Sequence, residues 1–118
     1  MAAVYDHARA LVKAFRECDE FKNMKRLGAK VKSDSKLDGL LSEFRLRQLE
    51  IQALQIQGQQ PTQGQVEHLQ KLAKRIESEP LLKDYLTAET TYGQVLVEVQ
   101  NVLAEVYNPD VPGALVKK

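Results

Sequence analysis

The chain has no tryptophan, a single cysteine and no long apolar run, and each shortage excludes a class of protein. One cysteine cannot form a disulfide framework, nor supply four thiolates to a zinc or iron–sulfur site within one chain. No stretch approaches the ~18 apolar residues of a membrane-spanning helix, so we expect no contact with a membrane. The first helical pattern contains charged side chains such as Asp6 and Lys13, unlike a secretory signal, which makes the cytoplasm the expected compartment.

What the chain does contain is apolar residues at helical spacing. Hydrophobic residues make up 43% of the 118 positions, too many for a disordered chain and enough for one small core. The four prolines leave residues 1–60 and 81–108 without a helix breaker. Apolar steps of three and four residues recur through both stretches. We therefore predict an all-α protein of about five helices, a helical bundle with a long C-terminal helix that oligomerises through its long helices.

Polar residues next to the apolar patterns predict where the helices begin and end. Asp19 is expected to cap a second helix, and Ser35 with Asp38 fits a capping-box pattern in front of a third. The third helix should cover about residues 36–57 and end at Gly58, which suits a left-handed helix terminus.

Two further helices complete the predicted domain. Thr62 and Gln65 form a T-x-x-Q capping box at the start of a fourth helix. Its inward face should consist of Val66, Leu69, Ala73 and Ile76. Pro80 is compatible with the first turn of a fifth helix, where a missing N–H costs nothing. We expect one domain over residues 1–108, followed by a flexible tail over 109–118.

The last helix carries the strongest periodic signal in the chain. The residues of one heptad seam are spaced alternately four and three positions apart, without interruption. This seam consists of Tyr85, Glu89, Tyr92, Leu96, Val99, Leu103 and Val106. At ~1.5 Å per residue, a helix over 81–106 would be ~39 Å long, whereas a compact domain of this size is ~26 Å across. We expect the seam to be a structural or oligomer contact, in a homodimer or homotetramer.

One carboxylate, Glu89, lies on this otherwise apolar seam. Because an unpaired buried carboxylate is costly, Glu89 needs partners or a proton. It could serve as a general acid or base or as a ligand, or as a paired residue that sets the register of two helices. No second acidic or nucleophilic residue shares the stripe, which favours the structural role. We hypothesise a buried charge pair with Arg45 or Arg47.

The remaining reactive residues form no recognisable catalytic or metal-binding pattern. His7 precedes Cys18 by eleven residues, and that separation is ~16 Å along one helix, too far for a hydrogen bond. His7 and His68 belong to no H-x-x-x-H pattern, and the glycines form no phosphate-binding loop. We therefore expect no enzymatic activity, no cofactor and no metal.

Positive charge is concentrated in one segment although the net charge is only +1. Residues 22–36 contain six lysines and arginines against one aspartate. Lys22, Arg26 and Lys30 are spaced four apart and share one helical face, which we call the basic face. It could bind an anionic partner such as RNA, lie in solvent, or face the acidic last helix of a neighbouring subunit. An RNA-associated adaptor is the alternative function, disfavoured because no aromatic residue interrupts the basic run.

The order of the segments resembles a known family. The features are Phe15 and Phe21 on either side of a short acidic link, a Gln-rich run that leads into Gly58, and the capped helix from Thr62. Further sequence features are Leu41-Ser42-Glu43-Phe44-Arg45 followed by Gln48, then Pro80-Leu81-Leu82, Tyr85-Leu86 and Ala88-Glu89. Together they resemble the YlbF/YmcA family of small bacterial helical proteins, and its YheA-like branch most closely, over about residues 4–107.

The resemblance implies a cytoplasmic helical protein that forms homo-oligomers and acts through other proteins. Relatives regulate competence, sporulation and biofilm formation in complexes with one another, with links to a phosphorelay and to RNA processing. Some relatives hold iron–sulfur clusters through cysteines, but Cys18 stands alone here and no ligand set carries over. The expected function is that of a non-enzymatic regulatory or scaffolding protein whose partners are other cytoplasmic proteins.

Overall fold

The computed structural model describes residues 1–107, and this part of the chain forms five α-helices without a strand. The helices are α1 (Ala2–Glu17), α2 (Asp19–Lys32), α3 (Ser35–Ile56), α4 (Gln63–Glu77) and α5 (Pro80–Leu103), and a 3₁₀ turn over Ala104–Val106 follows α5. The predicted all-α class, the five helices and the long last helix are confirmed. The predicted tail over residues 109–118 lies outside the described residues.

The chain divides into two compact units. A central unit spans residues 25–86. A terminal unit combines residues 1–24 with the stretch that begins at Thr87. The single domain expected over residues 1–108 stays a prediction.

The central unit contains a hydrophobic core to which α2, α3, α4 and the start of α5 contribute. Its buried members are Val31, Leu37, Leu40, Leu41, Leu72, Ile76 and Leu82. Partly buried side chains surround them, namely Phe44, Leu81, Tyr85 and Leu86. Leu82 is completely buried, with 0% of its surface exposed. In α4 the predicted inward face was only partly correct, because Leu72 and Ile76 are buried whereas Val66, Leu69 and Ala73 are half-buried.

The links before α2 and α3 correct two predicted caps. The Asp34 carboxylate accepts hydrogen bonds from the backbone N–H groups of Lys36 and Leu37, at 3.1 and 3.2 Å. Ser35 is already helical, so the capping box predicted for it is wrong. The Asp34 carboxylate satisfies the free N–H groups instead, and its negative charge is favourable at the positive end of the helix dipole. Asp19 likewise lies inside α2, and the Cys18 carbonyl accepts the first backbone bond of that helix.

The α3–α4 link follows the predicted chemistry. Gly58 has a φ of 79°, the left-handed conformation that only glycine adopts without strain. The Thr62 hydroxyl accepts a bond from the Gln65 N–H at 3.1 Å, and the Gln65 side chain accepts one from the Thr62 N–H at 2.9 Å. This reciprocal capping box is confirmed, and it sets the first residue of α4.

A glycine allows α5 to approach α2 closely within the central unit. A Cβ atom built on Gly28 would lie 3.0 Å from Cε1 of Tyr85, closer than side-chain contacts normally allow. The ring of Tyr85 therefore occupies the space that any larger residue at position 28 would fill. The first residue of the predicted seam is thus packed inside its own chain.

Replacing Leu82 with alanine tests the core of the central unit. Leu82→Ala should lower the free energy of unfolding by about 2–5 kcal/mol, because a fully buried leucine loses its contacts and leaves a cavity. The measurement is denaturant unfolding followed by circular dichroism. Leu49→Ala is the matched control, since Leu49 is 61% exposed and should change stability by no more than about 0.5 kcal/mol. Equal losses in the two variants would contradict this assignment of the core.

Candidate interaction surface

Tyr92, at the centre of the seam, is packed against two phenylalanines of the terminal unit. Its ring centroid lies 6.1 Å from that of Phe15 in an edge-to-face arrangement and 5.4 Å from that of Phe21 in a tilted one. Phe15 is near the end of α1 and Phe21 is near the start of α2. Such ring pairs each contribute about 0.5–1.5 kcal/mol beyond their buried area. Tyr92 therefore holds the junction of α1 and α2 against α5.

Beyond Tyr92 the seam becomes progressively more exposed. Leu96 and Val99 are half-buried. Leu103 is 51% exposed and Val106 is 80% exposed. We call these four residues the outer seam. Leu96, Val99 and Leu103 lie on one side of α5, and Val106 follows them in the 3₁₀ turn. They form an apolar stripe that the described part of the chain leaves incompletely covered.

The α1 helix presents a second uncovered apolar surface. It has sixteen residues, and none of them is buried. Val4, Tyr5 and Val12 are 65%, 54% and 48% exposed. Isolated helices of this length are marginal in water, since most helical stability in proteins comes from burial of an apolar face. The terminal unit thus contains two helices whose apolar residues are poorly covered.

Glu89 lies on the seam between Tyr85 and Tyr92, and it is half-buried. Arg47, one of its two predicted partners, instead donates from Nη1 to both carboxylate oxygens of Glu50, at 2.8 and 2.9 Å. Glu50 lies one turn further along α3, so this pair is local to that helix. A charge pair between Glu89 and Arg45 stays a prediction.

The basic face predicted on α2 is exposed along its length. Lys22, Arg26 and Lys30 all lie within this helix, at successive turns of one side. The ammonium groups of Lys22 and Lys30 have no ion-pair or hydrogen-bond partner among residues 1–107. These two lysines are therefore available to an anionic partner.

A cleft that no sequence motif predicts lies between the end of α3 and the start of α4. It encloses about 390 Å³, and its lining includes Arg47, Glu50 and His68. The His68 Nε2 atom lies 3.0 Å from a carboxylate oxygen of Glu43, which joins α4 to α3. Arg47 faces Glu50 and His68 faces Glu43, so these side chains already have partners within the central unit. Nothing local in the sequence could pair residues 25 positions apart.

The outer side of α3 is also apolar. Leu46, Leu49 and Ile56 are 49%, 61% and 87% exposed, on the side opposite the buried leucines of that helix. Their exposure adds a third apolar stripe, this one on the central unit.

The described residues bring together no reactive group around Cys18 or the histidines. Cys18 is half-buried at the α1–α2 link, His7 is exposed on α1, and His68 contacts Glu43. Within residues 1–107 no three histidine, cysteine or acidic side chains are placed to hold a metal ion. None of the helices in this range is both long enough and apolar enough to span a membrane.

The fold and its exposed stripes place the chain among small all-α proteins that have apolar helical faces on the outside. The comparison with known families identifies the family. A family model described as "Control of competence regulator ComK, YlbF/YmcA" matches residues 4–106. The chain belongs to the YlbF/YmcA family.

Relatives of the chain from several bacteria are named UPF0342 proteins. One from Symbiobacterium thermophilum is 33% identical over 109 residues, which cover 92% of this chain and 97% of that protein. One from Caldicellulosiruptor saccharolyticus is 34% identical over 105 residues, covering 89% of this chain and 88% of the relative. One from Staphylococcus saprophyticus is 32% identical over 102 residues, covering 86% and 90%.

A solved structure has the same fold. It is a protein of unknown function (DUF964) from Bacillus stearothermophilus, and it matches with a TM-score of 0.78. The match covers 92% of this chain and 99% of the other at 21% sequence identity. The helical architecture is therefore shared with a protein of distant sequence.

Replacing Tyr92 tests the junction of α1, α2 and α5. Tyr92→Leu removes both ring contacts and should lower the free energy of unfolding by about 1–3 kcal/mol. Amide hydrogen exchange in α1 should accelerate as well, since α1 loses its aromatic anchor. Tyr107→Leu is the control, because Tyr107 is 77% exposed. Unchanged α1 exchange in Tyr92→Leu would show that the rings do not hold this helix.

Proposed function

We propose that this chain is a non-enzymatic regulatory or scaffolding protein of the cytoplasm that acts through protein–protein contact and associates with itself. The proposal depends on one observation: in the terminal unit, the apolar residues of the outer seam and of α1 are both poorly covered. A second copy of the chain is the proposed occupant of this surface. The expected assembly is a homodimer or homotetramer, which then engages other cytoplasmic proteins.

The uncovered apolar area supports self-association on energetic grounds. Removal of apolar surface from water contributes ~25 cal/mol per Å². Large exposed apolar patches on soluble proteins mark interaction sites, whereas single exposed side chains are ordinary. The outer seam is not a set of single side chains, because Leu96, Val99 and Leu103 follow one another at heptad spacing on one helix. Heptad spacing favours another helix as the covering element.

Self-pairing also accounts for two poorly covered helices in the same terminal unit. In a two-fold symmetric dimer the same patch on each copy forms the contact, so a single interface covers these residues in both copies. A helix such as α1, with no buried residue in its own chain, then gains its tertiary burial from the partner. This arrangement accounts for an amphipathic helix that would otherwise be marginal.

The regulatory part of the proposal is supported by the family. The family model is described as control of a competence regulator, and the relatives named UPF0342 carry no activity in their names. No group of residues described above has the geometry of a catalytic site, so contact with proteins is the function we propose rather than chemistry. The apolar stripe on α3 offers a further surface for such contact.

Charged substitutions in the outer seam test self-association. Leu96→Asp should dissociate the oligomer or unfold the protein, because Leu96 is half-buried. Leu103→Asp should dissociate the oligomer and keep the helical content, because Leu103 is already 51% exposed within the chain. Mass is measured by sedimentation velocity and helicity by circular dichroism, and Leu103→Asp should sediment as one 13.3 kDa chain.

Gln94→Asp is the matched control, since it places the same charge at an exposed position off the seam. It should sediment as the wild type does. A wild-type protein that stays a single copy at every concentration would contradict the proposal, as would two seam variants with unchanged mass and melting.

A further inference from the structure

The second half of α5 and the 3₁₀ turn that follows it have an acidic face beside the outer seam. Glu98 and Val102 lie on α5 and Glu105 lies in the turn, at steps of four and three residues, on the side adjacent to the seam rather than on it. Both carboxylates are exposed, and Val102 is 61% exposed. Neither glutamate has an ion-pair or hydrogen-bond partner among residues 1–107. We call these three residues the acidic face.

The basic face of α2 has the opposite charge and nearly the same length. Lys22 and Lys30 are eight residues apart, which is ~12 Å along a helix. Glu98 and Glu105 are seven residues apart, or ~10.5 Å. Two helices laid side by side can therefore bring each lysine opposite one glutamate. Because these four groups lack partners in the described part of the chain, the match is available to another molecule.

We propose that the basic face of one copy docks on the acidic face of α5 in a second copy. The inference rests on the proposed self-association and specifies how it is oriented. The apolar outer seam lies beside the acidic face, so one contact can cover both the seam and Val102 while the lysines meet the glutamates. Each copy carries one face of each sign, so the contact can be made reciprocally in a symmetric pair.

Charges of this kind select a partner and an orientation more than they add affinity. Exposed ion pairs are screened by salt, with a Debye length of ~8 Å at physiological ionic strength. Complementary faces still accelerate association and penalise arrangements that bring like charges together. In the proposed dimer the outer seam supplies the apolar contact, and the lysine–glutamate pairs decide which helix lies on it.

A second copy explains the basic face better than a nucleic acid does. Residues 22–36 contain no aromatic side chain on which a base could stack. The net charge of the chain is only +1, because acidic residues elsewhere, including Glu98 and Glu105, offset the basic segment. A chain in which Lys22, Lys30, Glu98 and Glu105 all lack partners within residues 1–107 needs no phosphate backbone to satisfy its lysines.

Charge reversal on each side, followed by recombination, tests the contact directly. The acidic-face variant is Glu98→Lys with Glu105→Lys, and the basic-face variant is Lys22→Glu with Lys30→Glu. Each should raise the dissociation constant of the oligomer at least tenfold, measured by sedimentation equilibrium at low salt. The chain with all four changes should return to within about threefold of the wild type, since the pairs are restored with opposite sense.

The matched control is Glu67→Lys with Glu77→Lys, which changes the net charge as much as the acidic-face variant does but on α4. It should leave the dissociation constant unchanged, and circular dichroism should show native helicity in every variant. Higher salt should weaken the wild-type oligomer, and it should weaken the two reversed variants less.

Three results would overturn the inference. The first is that both reversed variants have the dissociation constant of the wild type. The second is that the chain with all four changes has a dissociation constant as high as that of the two reversed variants. The third is a single-stranded RNA oligonucleotide that binds the wild type and not the basic-face variant while the oligomer is unaffected, which would assign the basic face to RNA. In all three, loss of the oligomer in Leu103→Asp would still support self-association itself, so the two proposals can fail separately.

Discussion

The apolar stripe of α5 is the constraint on which the rest of the structure depends. An α-helix of 24 residues repeats its apolar side rigidly along its length, because each turn is tied to the next by backbone hydrogen bonds. Where the chain offers a partner, the stripe is covered: Tyr85 fills the space left by Gly28, and Tyr92 lies against two phenylalanines. Further along the helix the same periodicity continues into solvent, which makes α5 both a core element and an exposed surface.

In the central unit, α3 has apolar residues on two opposite sides. Leu37, Leu40 and Leu41 contribute to the core, whereas Leu46, Leu49 and Ile56 are exposed on the other side. A helix that served only one core would carry polar residues on its outer face. The two-sided character of α3 and the stripe on α5 are each understandable if the chain functions within an assembly, where surfaces that are exposed in one copy are buried by another molecule.

Charge in this protein is arranged in two ways. In the central unit, Arg47 and Glu50 form a local ion pair, and the His68 ring contacts the Glu43 carboxylate. Exposed pairs of this kind contribute little to stability, commonly no more than about 1 kcal/mol. By contrast, Lys22, Lys30, Glu98 and Glu105 have no ion-pair or hydrogen-bond partner within the described range 1–107. Their availability to other molecules, together with the membership of a family described by the control of a regulator, is consistent with a role in recognition.

The sequence by itself determined the features that depend on local chemistry. The five helices follow from periodic apolar residues. Gly58 ends α3 because only glycine adopts a positive φ without strain. Thr62 and Gln65 set the start of α4 because the side chain of each accepts a hydrogen bond from the backbone N–H of the other. The cap at Asp34 was missed by one residue, since neighbouring polar side chains compete for the same N–H donors at a helix start. Asp19, predicted as a cap, is the first residue of α2.

Only the tertiary structure decided which apolar residues are covered. Periodicity places Tyr92 and Leu103 on the same stripe with equal weight, yet one lies against Phe15 and Phe21 while the other is half exposed. Leu72 in the core and the contact between His68 and Glu43 were equally invisible. The physical reason is that burial depends on what lies opposite a side chain in space, and those partners come from segments far away in the chain.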